Sequence, residues 1–383
     1  MSLLDVLSGD FVEPVECVIE VDRQEIGDIY QHLTEITVNM SRRKFTEAIL
    51  KFESPTDEFG ERVVADRTDL MPWPEITIDA VFGSKTDRLF SGVVFGVSPS
   101  FPNNSGQATF TVTCRDHAAK LSRMTRPQEW GEPDQPTTDQ AILAGILGRH
   151  NLTPHQQNDS GMSGLVLRTN ETDISLLQSR ARDNGFDLIF FQDELYFGPP
   201  LIDAACQPAI MVYAGQKSNC YSFNITNSGE NFESLAVTGR DDDGNPDAEE
   251  IFRPNLPLMG ARPPQNSGSG LEDHQAFMAD RSSPNPEIQR RRAQALVNEQ
   301  SLSVKATGEL DGAVYKNVLL AGQPVEVDGV GELYSGPYLV DTVTHTINHQ
   351  GYRQRFELLR NAVGYIPCAS LVGGAIRGAI SNG

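Results

Sequence analysis

His345 and His349 stand four residues apart, a spacing that on a helix would turn two imidazoles toward one metal ion. The run from Tyr338 to Ile347 reads as a strand instead, and no third ligand accompanies the pair, so ordinary strand-edge histidines are expected. Asp241-Asp242-Asp243-Gly244-Asn245 has the look of a calcium loop, but no Glu or Asp falls at the full EF-hand spacing; a solvated acidic turn is expected. Gly161-Met162-Ser163-Gly164 lacks the second glycine two places after the serine that a nucleophile elbow needs. Gly268-Ser269-Gly270 sits in a polar linker with no preceding strand, which excludes a dinucleotide loop. Among 52 Asp and Glu residues nothing singles out a pair for glycoside hydrolysis. Cys17, Cys114, Cys206, Cys220 and Cys368 form no CxxC, and an odd, scattered set argues against a disulfide framework and against structural zinc. Cys17 and Cys114 lie on apolar strand faces, so buried thiols and a reducing compartment of synthesis are expected. No residue is assigned a catalytic, cofactor-binding or metal-ligating role, and the chain is not expected to be an enzyme.

The elements that would position any site are mostly strands. Val15, Cys17, Ile19 and Val21 share one apolar face; Ile76, Ile78, Ala80 and Phe82 repeat the pattern, and Ala108 to Cys114 alternates apolar residues with threonine. Period two, broken by Gly, Pro and Asn, signals an antiparallel sheet with one wet face. The middle is mixed. Thr137 or Thr138 caps a helix to about His150, Asn170 caps a second that Gly185 ends, and Phe186–Phe191 with Glu194–Phe197 reads as a hairpin. Residues from about Asp241 to Asn285 read as a long exposed excursion. A helix then runs from Pro286 through Gln300 with Ile288, Ala295 and Leu296 inward, and Leu302 to Leu359 is β again.

The formal net charge is −21, and the only basic block is Arg290-Arg291-Arg292, so no surface suits a nucleic-acid duplex. An acidic wall would instead let a polyanion slide past. No secretory signal opens the chain and no run of about 18 apolar residues exists, so no membrane partner is expected.

The two β regions repeat each other. Leu89-Phe90-Ser91-Gly92 is followed fourteen residues later by Gly106, and Leu333-Tyr334-Ser335-Gly336 fifteen residues later by Gly351. Each late glycine opens a strand that exits through Arg115-Asp116 or Arg360-Asn361, so the same turn, hairpin and exit are expected twice. Two related barrels per chain, tripled by rotation, present six quasi-equivalent units and can match a sixfold partner to a threefold one.

Several ordered motifs carry a resemblance. They are Phe90-Ser91-Gly92-Val93-Val94, Val112-Thr113-Cys114-Arg115-Asp116 with Leu121, and Thr169-Asn170-Glu171-Thr172-Asp173 leading to Asp183-Asn184-Gly185-Phe186. Leu195-Tyr196-Phe197-Gly198, Val237-Thr238-Gly239-Arg240 and Leu320-Ala321-Gly322-Gln323-Pro324-Val325 follow. Tyr334 to Val340, His345, Gly351-Tyr352 and Leu358 to Asn361 complete the series. In this order the chain resembles the phage late control D family of contractile-tail baseplate hubs, which includes the T4-type tail hub and is similar to the base region of type VI secretion spike proteins.

The resemblance implies a β-rich α+β fold of two related tube-protein-like antiparallel β-barrels with a mixed α/β domain between them. Its expected parts are a first barrel over 1–118, a mixed domain over 119–205, a second barrel from 206–240 and 301–361, an excursion and helix over 241–300, and a tail over 362–383. It implies a homotrimeric structural hub that lines the channel between tail tube and spike. Expected partners are the tail tube protein or a distal tube-initiator ring, a separate central spike protein, baseplate wedge proteins and the tape measure. Nucleic acid passes through the lumen without specific binding, and the place is the virion tail baseplate or an injection-system particle, after synthesis in the bacterial host cytoplasm. The spike is expected to be separate because only 22 residues follow Asn361. That tail is expected to contact the spike or fold along the ring exit. The competing readings are a cell-wall-degrading tail enzyme and a receptor- or glycan-binding baseplate protein.

Overall fold

A computed structural model describes residues 15–55, 62–103, 108–213, 215–237, 249–264, 274–278 and 286–368. The chain begins with β1 (Glu16–Val21), β2 (Gln24–Glu25), β3 (Leu33–Ser41), β4 (Glu47–Glu53), β5 (Glu75–Phe82), β6 (Lys85–Ser100) and β7 (Thr109–Arg115). A mixed stretch follows: α1 (Ala118–Leu121), β8 (Thr125–Trp130), α2 (Asp139–His150), β9 (Thr153–Pro154), β10 (Leu167–Thr172), α3 (Asp173–Asn184), β11 (Asp187–Phe191) and β12 (Glu194–Gly198). Then come β13 (Gln207–Met211), β14 (Cys220–Asn227), β15 (Ser234–Val237), β16 (Glu250–Phe252), β17 (Gln275–Met278) and α4 (Pro286–Ser301). The described chain finishes with β18 (Val304–Asp311), α5 (Gly312–Tyr315), β19 (Pro324–Asp328), β20 (Gly336–Asn348) and β21 (Gly351–Arg360).

Thirteen strands hydrogen-bond into one sheet, ordered β14-β18-β21-β20-β3-β4-β7-β6-β5-β1-β2, with β19 on β20 and β13 on β19. Alternation builds it: Ala48, Leu50 and Phe52 on β4 and Phe110, Val112 and Cys114 on β7 point into the core, while Thr109, Thr111 and Thr113 are exposed or half-buried. That core runs unbroken from Ile19 and Val38 to Val304 and Phe356. The expected pair of barrels is therefore corrected. Among the described residues there is no closed barrel; the two β regions share one sheet because β3 pairs antiparallel with β20.

The repeat itself is plain in the topology. Taking six strands from each region in chain order, β1, β3, β4, β5, β6, β7 are arranged β3-β4-β7-β6-β5-β1. The second set, β13, β14, β18, β19, β20, β21, is arranged β14-β18-β21-β20-β19-β13, the same permutation. Bulges coincide as well. One falls between Val94 and Gly96 opposite β7 and between Val340 and Thr342 opposite β21. Another falls between Leu33 and Glu35 opposite β4 and between Cys220 and Ser222 opposite β18. A bulge adds one unpaired residue and bends the strand. Two bulges at matching places therefore set the equivalence residue by residue: Val94 with Val340, Cys114 with Leu358, Ala48 with Ala306, Val38 with Ile225. One difference stands out: β1 runs antiparallel to β5, whereas β13 runs parallel to β19.

This register corrects the motif-based alignment. Gly92 is no turn; it lies inside β6 opposite Ile76, where a Cβ would come within 2.1 Å of the Arg115 carbonyl oxygen. It matches Tyr338, and the like-sounding Gly336 sits two residues earlier, opening β20 at φ +126°. At the exits Arg115 matches Leu359 and Asp116 matches Arg360, one residue out from the expected pairing. Gly106, the acidic run from Asp241 to Asn245, Gly268-Ser269-Gly270, most of the 241–285 excursion and the tail beyond Cys368 lie outside the described residues.

Helices follow their caps. Thr138 accepts from Ala141 N at the start of α2. The second cap is Thr172, not Asn170, which sits on β10 opposite Pro127. Gly185 ends α3 at φ +72° as expected. On α4 the buried residues are Ala293 and Val297, and Leu296 is exposed, contrary to the expected inward face. Cys206 and Cys368 form a disulfide with Cα atoms 6.2 Å apart, a correction to the expected set of free thiols. Cys114 is buried and Cys17 half-buried; burial pushes the Cys17 thiol up to about 12.

Candidate functional site

The joint between the two β regions is built first from backbone. β20 meets β3 with Thr342 opposite Ser41 and Asn348 opposite Glu35. The bulge residue Asp341 accepts from Arg42 N at 2.9 Å, and its carboxylate accepts from Arg42 Nε at 3.3 Å. The same guanidinium donates to Asp187 on β11 at 2.9 Å and to Glu299 on α4 at 2.7 Å. Arg42 is 2% exposed. One cation thus ties both sheet regions, the mixed stretch and α4 together, and three carboxylates offset its burial. Deeper in the joint His345 is fully buried, its Nδ1 2.8 Å from the Tyr352 hydroxyl, and burial pushes its imidazole down to about 3. Thr344 Oγ1 donates across the joint to Asn39 Oδ1 at 3.0 Å.

The equivalent place in the first region is open. Up to the bulge the backbones match: Trp73 N donates to Val94 O and Val94 N to Pro74 O, as Gly322 N donates to Val340 O and Val340 N to Gln323 O. Trp73 adopts φ +95° and Gly322 φ +84°. Past Val94, no described strand covers the outer side of β6, and β14 pairs only with β18. Around this edge lies a patch of aromatic and cationic groups. Trp73 meets Phe95 edge-on at 6.0 Å, the Arg123 guanidinium lies 4.0 Å over Trp73, and that of Arg115 lies 3.9 Å over Phe95. Phe101 and Met124 are more than half exposed. A bulky residue held at positive φ costs on the order of 1–3 kcal/mol, so the Trp73 backbone is kept in a conformation that its counterpart meets with glycine.

A third constellation has the residue types of a hydrolase. Ser91 Oγ donates to Asp193 Oδ1 at 2.5 Å, and His117 Nε2 lies 3.0 Å from the same oxygen and 3.3 Å from Ser91 Oγ. Hydrogen bonds from His117, then Ser91, hold the Asp193 carboxyl down to about 2 against partial burial. A relay needs the carboxylate on Nδ1 and the serine on Nε2. Here both share Nε2, and Nδ1 is buried with no partner. The carboxylate already takes the hydroxyl proton's direction, so the histidine cannot pass that proton on. What the three side chains do is pin the β11–β12 turn to β6.

Residues 12–349 match the model of one protein family, described as Alg8 N-terminal domain. The chain belongs to the Alg8 N-terminal domain family. No curated protein matches it significantly. Solved structures do. A 43 kDa tail protein of prophage MuSo2 from Shewanella oneidensis is similar at TM-score 0.66 and 15% identity, over 91% of this chain and 99% of that one. A tail protein from Neisseria meningitidis MC58 is similar at TM-score 0.64 and 12% identity, over 91% and 97%. The E. coli c3393 protein, described as a type VI secretion component with structural similarity to T4 tail proteins gp27 and gp5, follows at TM-score 0.53 and 13% identity, over 91% and 79%. At these identities what is shared is the fold. The matching family model is a different one from the late control D family to which the motifs pointed, while the broader likeness to tail and type VI proteins stands.

In this Alg8 N-terminal domain protein the residues nominated by sequence do not gather. His345 lies in the core and not at a strand edge, whereas His349 lies in the exposed turn after β20. Ser163 is exposed between Gly161 and Gly164, and the neighbouring Met162 is buried. Among the described residues no group of three or more His, Cys, Asp or Glu could hold a metal. The residues that do assemble, Arg42 with its carboxylates and Trp73 with Phe95, were not nominated. Trp73 carried a readable sign: it stands between Pro72 and Pro74 beside Met71, too constrained for a strand interior.

Proposed function

We propose that this protein is a structural hub of a contractile phage tail or related injection system, without catalytic activity. Three copies form a ring that adapts a sixfold tail tube to a threefold central spike and lines the channel between them, as the late control D resemblance implies. The observation that carries this reading is the doubled six-strand arrangement with coincident bulges inside one sheet. Each chain supplies two equivalent units, so three chains supply six on one side while offering three on the other. Barrels absent from the single chain arise when the sheets of neighbouring copies run together. The tail-protein folds of the Shewanella and Neisseria chains support the setting. A net charge of −21 suits a lumen through which nucleic acid passes without binding. The tube protein or a tube-initiator ring is the partner on the sixfold side and a spike protein on the other. The place of action is the virion baseplate or its counterpart in an injection particle.

Native mass spectrometry and sedimentation of the purified chain test this. A trimer at micromolar concentration is expected. A monomer at every concentration, with tube and spike proteins added, overturns it.

A further inference from the structure

We infer that neighbouring copies join by strand addition, the outer edge of β14 from one copy pairing with the open segment of β6 in the next, in the register of the internal β20–β3 ladder. This rests on the ring reading and names its joint.

The internal repeat sets the register. Residues after the bulge in β20, from Thr342 to Thr346, match Gly96 to Ser100 in β6. On the other side of the ladder Asn39 to Glu35 of β3 match Thr226 to Ser222 of β14, and carrying the register on sets Ser41 against Ser228, one residue past the strand. Transferring the β20–β3 pairs places Gly96 opposite Ser228, Ser98 opposite Thr226 and Ser100 opposite Asn224 of the next copy. Within one chain these edges lie seven strands apart in the sheet order, and neither is paired with a described strand.

Side chains around the two joints differ in the way a permanent and an assembled contact should. Asp341 is replaced by Phe95 and Arg42 by Gly229, where a Cβ would meet nothing within 4 Å. An ionic clasp inside the chain becomes an aromatic ring facing an empty backbone site. Trp73 replaces Gly322 at the same positive φ and flanks the opening with Phe95, Arg115 and Arg123. Aromatic residues and arginine are the types that dominate binding energy at interfaces. The hydrogen-bonded pair Thr344–Asn39 becomes Ser98 and Thr226, two exposed hydroxyl side chains able to bond in the same way.

Pro99 replaces His345. The bond from Arg42 N to Asp341 O flanks the Ser41–Thr342 pair, so Val343 and His345 turn their N–H and C=O toward the joint. Val97 and Pro99 do so in β6, and Pro99 has no N–H to give. The intermolecular ladder is therefore short, anchored at Val97 and on the Pro99 carbonyl.

Ser98→Cys with Thr226→Cys tests the joint in the full chain. The pair falls where facing residues exchange no backbone hydrogen bond and Cα atoms approach to about 4.5 Å, within disulfide reach. Mild oxidation should give a covalent trimer on a non-reducing denaturing gel, and mixing the two single variants should give covalent dimers only. Ser98→Cys with Ser222→Cys, displaced by about 13 Å along the strand, should give neither. As a second readout, Trp73→Gly should fold and show at least tenfold weaker self-association by sedimentation. A wild-type trimer whose in-register pair fails to cross-link, or cross-links no better than the displaced pair, overturns the joint and leaves the ring standing. A bond formed within one chain overturns the joint too. A wild-type chain that is monomeric throughout overturns the ring and the joint together.

Discussion

The two β regions carry the same strand order and the same bulges, yet one ends in a filled joint and the other in an open edge. Backbone register is kept through Val94 and Val340; divergence begins one residue later, with Phe95 where the second region has Asp341. Trp73 against Gly322 and Pro99 against His345 continue it. The two regions divide the labour between backbone and side chains. Register lies in backbone hydrogen bonds and bulge positions, which both copies share. Permanence lies in a few side chains: a buried cation with three carboxylates closes one joint, and an exposed Trp73 against a half-buried Phe95 borders the other.

The most damaging way to probe that division is to remove the clasp. Arg42→Ala leaves Asp187, Glu299 and Asp341 without their shared cation and should cost about 3–5 kcal/mol in chemical denaturation. Exchanging His345 and Pro99 separates a buried joint from an open edge. His345→Pro deletes a ladder donor in an interior strand, leaves its buried acceptor unpaired and should cost about 1–3 kcal/mol. Pro99→His, its mirror image on the open edge, should change chain stability by less than about 0.5 kcal/mol.

Acid separates the regions more gently. In the unfolded chain the His345 imidazole titrates near its ordinary 6.5, and in the folded joint near 3. Between those values the unfolded state binds more protons, so this residue's contribution to stability falls as pH drops from about 6.5 to about 3. Asp116 acts in the opposite sense: burial raises its carboxyl to about 7, so the folded state takes up the extra proton and gains as pH falls. Asp187, raised to about 6 by burial, acts with Asp116, and Asp193, held at about 2 by His117 and Ser91, acts with His345. The wild-type slope mixes all of these, and a variant at position 345 isolates the His345 share. Denaturation midpoints at pH 7 and pH 4.5 should therefore show a steeper acid loss in wild type than in His345→Gln.

Local chemistry was legible and long-range closure was not. Alternation along Ala108 to Cys114 announced β7 and its buried face, and Thr138 and Gly185 marked helix ends, because those signals lie within a few residues. Asn170 misled because the pairing of β10 with β8 extends the strand to the true cap at Thr172. The repeat was visible as two Ser-Gly pairs, but bulges leave no mark in composition, so the alignment slipped by one or two residues. Nothing in a local window joins Ser41 to Thr342, hence the expectation of separate barrels where one sheet forms. Arg42 was hidden for the same reason, since its partners stand 145, 257 and 299 residues away. The pairing of Cys206 with Cys368 across 162 residues was equally out of reach.

That bridge also decides how tension travels. It links the chain just before β13 to the chain just after β21, so the whole second set of strands lies between its ends. A pull on residues past Cys368 passes through sulfur to Cys206 and onward toward the mixed stretch. The ladder of β18, β20 and β21 hangs outside that path and need not unzip under load.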